Sequence, residues 1–241
     1  MTITSPHNTH LKELRKLIQR RRARDLAGRF VAEGEDLLAA ADRAGWTAVE
    51  RYCAAGSGLA GTEVEPEVLA AVSELGSGTR ALAVYEARWE TRPVGPLCVS
   101  LHGVADPGNV GTILRSAVAF GAASVAIGPG TADPYGPKAV RASMGAVFEV
   151  PLARAERVTE LPAPTVALIA DRGVPLHELT LGAGPVPRAT LMIGAEREGL
   201  PPALVEAADH LARIPIVTHS LNAAMAATVA LYEVARRMPR T

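Results

Sequence analysis

The sequence predicts an α/β protein in which a small α/β domain precedes a larger domain built on a parallel sheet. Beyond residue 96, short apolar runs alternate with helical patterns, an alternation typical of parallel strands covered on both faces by helices. Before them, the segment RWETRPVGP at residues 88–96 places two prolines and one glycine between apolar runs, which indicates a linker. We therefore predict domains at residues 1–90 and 91–241.

The smaller domain is predicted to begin with an amphipathic helix over residues 8–24. Four apolar side chains recur there at helical spacing: Leu11, Leu14, Leu17 and Ile18. The pattern then predicts strands over residues 29–32, 48–54 and 81–85, and helices over residues 35–44 and 66–75. This order of short strands and helices describes a small α/β module.

A basic block accompanies the first helix. Eight basic side chains lie between residues 12 and 29, namely Lys12, Arg15, Lys16, Arg20, Arg21, Arg22, Arg24 and Arg29. The acidic residues in this stretch are Glu13 and Asp25. Such a block is typical either of a solvated helix face or of a surface that contacts phosphates. Its charge alone favours the solvated face, because the formal net charge of the chain is zero.

The larger domain is predicted to contain apolar strands over residues 97–101, 124–127, 147–152, 165–170, 190–193 and 211–216. In open parallel sheets, ligands bind beyond the carboxyl ends of the strands. We therefore expect the loops that follow these strands to carry the chemistry.

The composition excludes several classes of protein. No stretch approaches the ~20 uninterrupted apolar residues of a membrane helix, and the N-terminus lacks the apolar centre of a signal peptide. Cys53 and Cys98 fall in separate predicted strands of different domains, so the sequence suggests neither a disulfide framework nor a metal cluster. We expect a soluble cytoplasmic protein without a membrane partner or a bound metal.

The first loop of interest is DPGNVG at residues 106–111, which follows a strand and enters a helix. Asn109 can cap this helix. The apolar residues of the helix fall at core spacing and leave Arg115 on another face. Taken alone, Asn109 has the ordinary explanation of a cap, and Arg115 that of a solvated helix residue.

Two further loops follow later strands. In LMIGAEREGLP, residues 191–201, the strand ends at Gly194, where a missing side chain would let a flat ligand lie against the backbone, and Glu196 follows. In RIPIVTHSLNAAM, residues 213–225, either Ser220 or Asn222 can cap a long alanine-rich helix. The stripe of small and apolar residues on that helix is typical of a core or a dimer interface.

These three loops occur in the order, and at the strand ends, found in the SpoU/TrmH branch of the knotted RNA methyltransferases, which the chain resembles over its whole length. HNTHLKELRKLIQRRRARDLAGRFVAEGEDLL, residues 7–38, is similar to the small substrate-binding domain ahead of the catalytic domain. GPKAVRASMGAVFEVP, residues 136–151, is similar to the segment between the first and second family motifs.

The resemblance implies a homodimer with a deep C-terminal trefoil knot that transfers a methyl group from S-adenosylmethionine to a ribose 2′-hydroxyl of rRNA or tRNA. It implies that residues 1–90 bind the RNA substrate. The implied active-site residues are Asn109, Arg115, Glu196, Ser220 and Asn222, and the implied cofactor contacts are Gly194, Ile214 and Leu221. After SLN, Ala223 and Ala224 depart from the family's usual branched residue and serine.

The role expected of Arg115 follows from its chemistry. A guanidinium with an ordinary pKa of ~12.5 is a poor proton acceptor in water. We therefore expect Arg115 to hold an RNA phosphate or to stabilise the developing alkoxide.

Two other interpretations remain open. A nucleotide-dependent oxidoreductase predicts a glycine fingerprint in the first strand-to-helix turn, and DPGNVG lacks that spacing. A catalytically silent RNA-binding factor on the same fold would bind RNA but no S-adenosylmethionine. The choice of RNA and nucleotide depends on surface shape, which the sequence does not specify.

Overall fold

The computed structural model describes residues 2–74, 78–181, 188–217 and 220–238 of the chain. The helices are α1 (Thr9–Gln19), α2 (Arg21–Ala27), α3 (Glu35–Arg43), α4 (Pro66–Ala70), α5 (Pro107–Ala119), α6 (Pro137–Ala142), α7 (Pro202–Ala207) and α8 (Ala223–Ala235). The strands are β1 (Arg29–Glu33), β2 (Glu50–Ala54), β3 (Thr62–Val64), β4 (Ala81–Glu86), β5 (Leu97–Leu101), β6 (Ser124–Ile127), β7 (Leu152–Arg154), β8 (Thr165–Leu168), β9 (Val174–Pro175), β10 (Ala189–Ile193) and β11 (His210–Arg213). Leu75, the predicted end of a helix, and Thr218 and His219 of the third loop lie outside the described residues.

The chain divides into two compact units. The first consists of Met1–Ala87 together with Asp133–Phe148, and the second of Arg88–Ala132 together with Glu149–Thr241. The segment Asp133–Phe148 lies within the range 91–241 that the sequence analysis assigned to the larger domain. The first unit is therefore completed by a segment from the middle of the chain.

The first unit contains a sheet with the strand order β1-β4-β2-β3. Strand β4 pairs antiparallel with β1 and β2, and β3 pairs parallel with β2. The single helix predicted over residues 8–24 is wrong, because Arg20 adopts an extended backbone and separates α1 from α2. The apolar stripe of α1 is buried as its spacing predicted: Leu11, Leu14, Leu17 and Ile18.

One member of the basic block has a structural role within the first unit. Arg24 is 9% exposed, and its Nε donates to Asp133 Oδ2 at 2.7 Å. Its Nη1 donates to the carbonyl oxygens of Leu17 and Ile18 at 2.7 and 3.1 Å. These carbonyls lie in the last turn of α1, where backbone acceptors lack partners within the helix. Arg24 is thus committed to joining α1, α2 and the segment Asp133–Phe148.

The strand predicted over residues 147–152 is wrong. Ala146–Phe148 forms a 3₁₀ turn of the first unit, and β7 of the second unit starts only at Leu152. The Phe148 ring lies 5.3 Å from that of Trp46, and Trp46 Nε1 donates to the Phe148 carbonyl at 2.8 Å. The apolar run therefore belongs to an aromatic core rather than to the sheet, a difference that periodicity alone does not resolve.

The second unit is built on a parallel sheet, as predicted. Its described strands are ordered β7-β6-β5-β10-β8-β11-β9, and every pairing is parallel. Strands β5, β6 and β10 are buried along their whole length, as expected for a sheet covered on both faces. Helix α8 packs against α5 and against β5 and β10. Two predicted strands end early: β8 stops at Leu168 and β11 at Arg213.

No helix within the described ranges combines the length and the apolar character that crossing a membrane requires.

Candidate active site

A cavity of about 420 Å³ lies at the carboxyl ends of β8, β10 and β11 in the second unit. Its lining consists of Leu168, Ile169, Ala170, Asp171, Ile193, Gly194, Ala195, Glu196, Arg197, Gly199, Ile214, Ile216, Ser220, Leu221, Ala223 and Ala226. Among them are five residues singled out from the sequence: Gly194, Glu196, Ile214, Ser220 and Leu221. The early ends of β8 and β11 explain part of this lining, because Ile169, Ile214 and Ile216 leave the sheet and face the cavity.

A hydrogen-bond network joins the three predicted loops beside this cavity. Asn109 Nδ2 donates to Glu196 Oε1 at 2.6 Å, and Asn222 Nδ2 donates to Asn109 Oδ1 at 3.1 Å. The carboxylate of Glu196 only accepts hydrogen bonds, so it sets the orientation of the Asn109 amide, which in turn sets that of Asn222. We call these three residues the Asn–Glu–Asn network.

The helix caps leave two amide groups available to this network. The prediction that Asn109 caps α5 is wrong: α5 begins at Pro107, and Asp106 is the cap, accepting from the Asn109 backbone N–H at 2.7 Å. At α8 the cap is Asn222, whose Oδ1 accepts from the backbone N–H groups of Ala224 and Met225 at 2.9 and 3.3 Å. Because Asn222 uses only its oxygen as a cap, its amide nitrogen can reach Asn109.

Gly194 is required for a reason that the sequence analysis did not anticipate. A Cβ at this position would overlap the backbone of Gly199 and Leu200. The loop folds back on itself there, since Ala195 and Gly199 exchange backbone hydrogen bonds of 3.1 and 3.0 Å. Gly194 therefore permits a close crossing of the chain, and this crossing holds Glu196 at the cavity.

A further polar contact that the sequence analysis missed joins two of the strands that form the cavity. Asp209 Oδ2 accepts from the backbone N–H and the hydroxyl of Thr165 at 2.7 and 2.8 Å. The Asp209 backbone N–H donates to Thr165 Oγ1 at 3.0 Å. The hydrogen bonds that Thr165 donates lower the pKa of Asp209. Together, the three hydrogen bonds hold the start of β8 beside the start of β11. An aspartate just before a strand is too common a pattern to have been singled out.

The structure does not bring Arg115 into the Asn–Glu–Asn network of its own chain. Arg115 is exposed on α5, and its guanidinium makes no hydrogen bond or ion pair with the described residues. Arg115 comes six positions after Asn109, which places the two about 120° apart around the helix and ~9 Å apart along it. The adjacent Ser116 bonds Thr228 of α8 through their hydroxyls at 2.7 Å, so α5 and α8 are held together there.

The part of the chain that the structure describes contains no group of three or more histidine, cysteine, aspartate or glutamate side chains that could hold a metal ion.

Comparison with known proteins addresses the family directly. Residues 96–232 match the model of the SpoU rRNA Methylase family. The chain belongs to this family. The resemblance inferred from the three loops is thereby confirmed.

Two solved methyltransferase structures are similar to all or nearly all of the chain. The AdoMet-bound rRNA methyltransferase from Sinorhizobium meliloti has a TM-score of 0.88 and 30% identity, with 100% of this chain and 99% of that chain covered. AviRb from Streptomyces viridochromogenes, a SpoU methyltransferase solved with AdoMet, has a TM-score of 0.84 and 27% identity, with 96% and 98% covered. Among curated proteins, the 23S rRNA (guanosine(2553)-2′-O)-methyltransferase RlmP of Bacillus subtilis is 28% identical over 95% of this chain and 97% of its own length.

Proposed function

We propose that this SpoU-family protein transfers the methyl group of S-adenosylmethionine to a ribose 2′-hydroxyl of rRNA or tRNA. The observation that carries the proposal is the Asn–Glu–Asn network, which brings three family loops together beside an apolar cavity at the carboxyl edge of a parallel sheet. The similar proteins named above support the reaction and the RNA class. With such a substrate, the protein is expected to work in the cytoplasm.

The residues of the cavity fit S-adenosylmethionine. Its volume of about 420 Å³ falls within the range of small-molecule sites. Ile193, Ile214 and Leu221 offer an apolar wall for the flat adenine ring. Asp171 and Glu196 offer carboxylates that suit ribose hydroxyls and the positive charges of the ligand. We assign Gly194, Ile214 and Leu221 to cofactor binding on this basis.

Methyl transfer requires mainly that the protein position the ribose oxygen and the methyl group relative to each other. S-adenosylmethionine, when bound, supplies an electrophilic methyl group on a sulfonium. The chain must hold the ribose oxygen about 3–3.5 Å from the reacting carbon and in line with the bond that breaks. The Asn–Glu–Asn network fixes the three loops relative to one another, and Ser220 and Asn222 shape the wall next to the ribose. Arg115, as an exposed guanidinium, binds an RNA phosphate or the developing alkoxide.

The experiment that tests this function is methylation in vitro. The purified protein is incubated with methyl-labelled S-adenosylmethionine and with total rRNA or tRNA, and the modified nucleotide is mapped. Transfer to a 2′-hydroxyl supports the proposal, and an otherwise identical substrate with 2′-deoxyribose at the mapped position should accept no label. Label on a base, or no S-adenosylmethionine binding in a direct titration, would count against it.

We predict that Arg115→Lys lowers kcat by about 100-fold, the size of effect that removing a positioned donor has in other enzymes. Lysine keeps the charge but loses the planar fork of donors that matches a phosphate. Single-turnover methylation measures the change, while the Kd for S-adenosylmethionine should stay unchanged. Near-normal turnover by the lysine variant would contradict a geometric role for the guanidinium.

We also propose that the protein is a homodimer that associates through α8. Met225, Val229 and Tyr232 are 61%, 43% and 56% exposed and recur at helical spacing on one face of this helix. Exposed apolar stripes of this kind mark interaction surfaces, and self-association is the usual assembly of soluble oligomers. Helix α5, which carries Arg115, packs against α8. A second copy bound at α8 would therefore lie near Arg115, and Arg115 could act at the cavity of that second copy rather than at the cavity of its own chain.

The dimer prediction is tested by Met225→Glu. A buried, unpaired carboxylate at the interface should convert the dimer to a monomer in light scattering coupled to size exclusion. We expect the monomer to bind S-adenosylmethionine and to lose methylation. The control is Val174→Glu, at a residue of the same unit that is 45% exposed. A wild-type protein that is already monomeric would refute the proposal.

We further propose that the C-terminal chain forms a trefoil knot. The support is the order of the chain: after β11, on the far side of β8, helix α8 returns to pack against β10 and β5. An experimental density map that traces residues 190–238 tests it.

We propose that residues 1–90 bind the RNA substrate, while residues 91–241 form the methyltransferase domain. Lys12, Arg20 and Arg22 are exposed, whereas Arg24 is buried and unavailable. The double variant Arg20→Gln/Arg22→Gln is expected to reduce the salt dependence of RNA binding by about two units of slope. The control pair Lys138→Gln/Arg141→Gln removes two exposed charges outside residues 1–90. Equal slopes for the two double variants would remove the assignment.

A further inference from the structure

A second, larger concave surface lies at the opposite edge of the parallel sheet. It has a volume of about 800 Å³ and is lined by Thr91, Arg92, Pro93, Val94, Gly95, Arg154, Ala155, Glu156, Thr159, Glu160, Leu161, Pro162 and Arg188. Ten of its thirteen lining residues precede the first residues of β5, β8 and β10, and the other three, Arg154, Ala155 and Glu156, end or follow the edge strand β7. We call it the amino-edge cavity, to distinguish it from the cavity at the carboxyl ends of the strands.

Three arginines line this cavity: Arg92, Arg154 and Arg188. Arg92 and Arg188 are exposed and make no hydrogen bond or ion pair with other residues in the described ranges. The guanidinium of Arg154 lies 4.5 Å from the centre of the Trp89 ring, a cation–π contact that restrains it. Arg92 and Arg188 therefore present cations whose donors remain open to a ligand.

The acidic residues of the cavity do not cancel this charge. Glu160 Oε1 accepts from Arg157 Nη2 at 2.7 Å, and Glu160 Oε2 accepts from the backbone N–H of Glu156 at 2.8 Å. Hydrogen bonds from the Glu156 backbone, the Arg157 side chain and the Arg157 backbone lower the pKa of Glu160 to about 2. Its charge is thus balanced by Arg157, which is not part of the lining. Glu156 also lines the cavity, so the three arginines outnumber the one acidic residue that Arg157 does not balance.

Hydrogen bonds fix the wall of the amino-edge cavity to the sheet of the second unit. The Val94 backbone N–H donates to Ser124 Oγ at 2.8 Å, and that hydroxyl donates to the Val94 carbonyl at 2.5 Å. Thr190 Oγ1 donates to the Pro162 carbonyl at 2.5 Å. These hydrogen bonds anchor two sides of the cavity to the starts of β6 and β10. The backbone that carries the arginines is therefore held in place by the sheet.

We propose that the amino-edge cavity binds the phosphate backbone of the RNA substrate, an inference that rests on the proposed function. Guanidinium groups match phosphate oxygens through paired donors, and a polyanion neutralises several fixed cations at once. Along β10, the five residues Ala189–Ile193 span ~17 Å between Arg188 of this cavity and Gly194 of the cavity at the carboxyl ends of the strands. The RNA therefore contacts the second unit at both edges of its sheet.

The test uses the full-length protein and a fluorescently labelled, mixed-sequence RNA hairpin. Arg92→Gln/Arg188→Gln is compared with the wild type and with the control pair Lys138→Gln/Arg141→Gln, which removes the same charge from exposed positions outside the cavity. We expect the cavity variant to bind the hairpin about tenfold more weakly, and its salt slope to fall by about one to two units. Arg92→Lys/Arg188→Lys should retain the slope, and thermal melting verifies the fold of each variant.

The outcomes separate this inference from the proposed function. If the wild type methylates RNA and the cavity variant raises the KM for RNA with kcat and S-adenosylmethionine affinity unchanged, the inference is supported. If the wild type methylates RNA and the cavity variant matches the control pair in slope and KM, the inference alone is wrong. Competition by adenosine triphosphate as strong as that by the hairpin would make the cavity a small-anion site and also overturn it. Absence of methylation by the wild type would be a failure of the proposed function itself.

Discussion

Gly194→Ala should weaken S-adenosylmethionine binding by about 100-fold, equivalent to ~3 kcal/mol, the upper end of the range for forcing extra atoms into packed structure. The added methyl group would overlap the backbone of Gly199 and Leu200, which cannot move aside as a flexible side chain can. The loop must open to admit it, and the opening displaces Glu196 from the cavity. Isothermal titration of the cofactor measures the loss.

The matched control for this substitution is Gly95→Ala. A Cβ at Gly95 would meet its nearest neighbour, Pro162 Cβ, at 3.3 Å, so a small shift accommodates it. We expect Gly95→Ala to bind S-adenosylmethionine like the wild type. If Gly194→Ala also binds normally while its melting temperature is unchanged, the close crossing of residues 194–200 has no part in forming the cofactor site.

Asn109→Ala should lower kcat for methylation by about 100-fold or more, comparable with the loss of one positioned hydrogen-bond group in other active sites. Removing the amide leaves Glu196 without its 2.6 Å donor and Asn222 without its acceptor. The three loops then lose their shared restraint, although the apolar wall of the cavity is untouched. Single-turnover kinetics at saturating RNA and cofactor isolate this effect, and cofactor affinity should change by less than about threefold, or ~0.6 kcal/mol.

A double-mutant cycle makes this prediction stricter. Because Asn109 and Glu196 act through one bond, Asn109→Ala/Glu196→Ala should be little slower than either single variant. Thr112→Ala is the control on the same helix, since the Thr112 hydroxyl donates only to the Gly108 carbonyl and lies outside the network. Strictly additive losses for Asn109 and Glu196 would mean that the two residues act independently.

The sequence by itself determined the elements whose burial is set by local pattern. The predicted strands Leu97–Leu101 and Ser124–Ile127 have the observed bounds, because an unbroken apolar run flanked by polar turns can be buried in few ways. The parallel arrangement followed from the alternation of strands and helices. The parallel arrangement also predicted that the loops after the strands carry the functional residues. Residues from three of these loops meet in the Asn–Glu–Asn network.

Other features were decided only by tertiary structure, because they depend on which distant residue a group meets. The apolar pattern of Val147 and Phe148 predicts burial but not the core in which they are buried. From the sequence, Arg24 is indistinguishable from the exposed cations around it. In the structure it is paired with Asp133, which lies 109 positions away along the chain. The network itself spans 87 and 113 positions along the chain. Local propensity acts over a few residues, whereas buried charge and amide orientation depend on partners that only the folded chain brings within hydrogen-bonding distance.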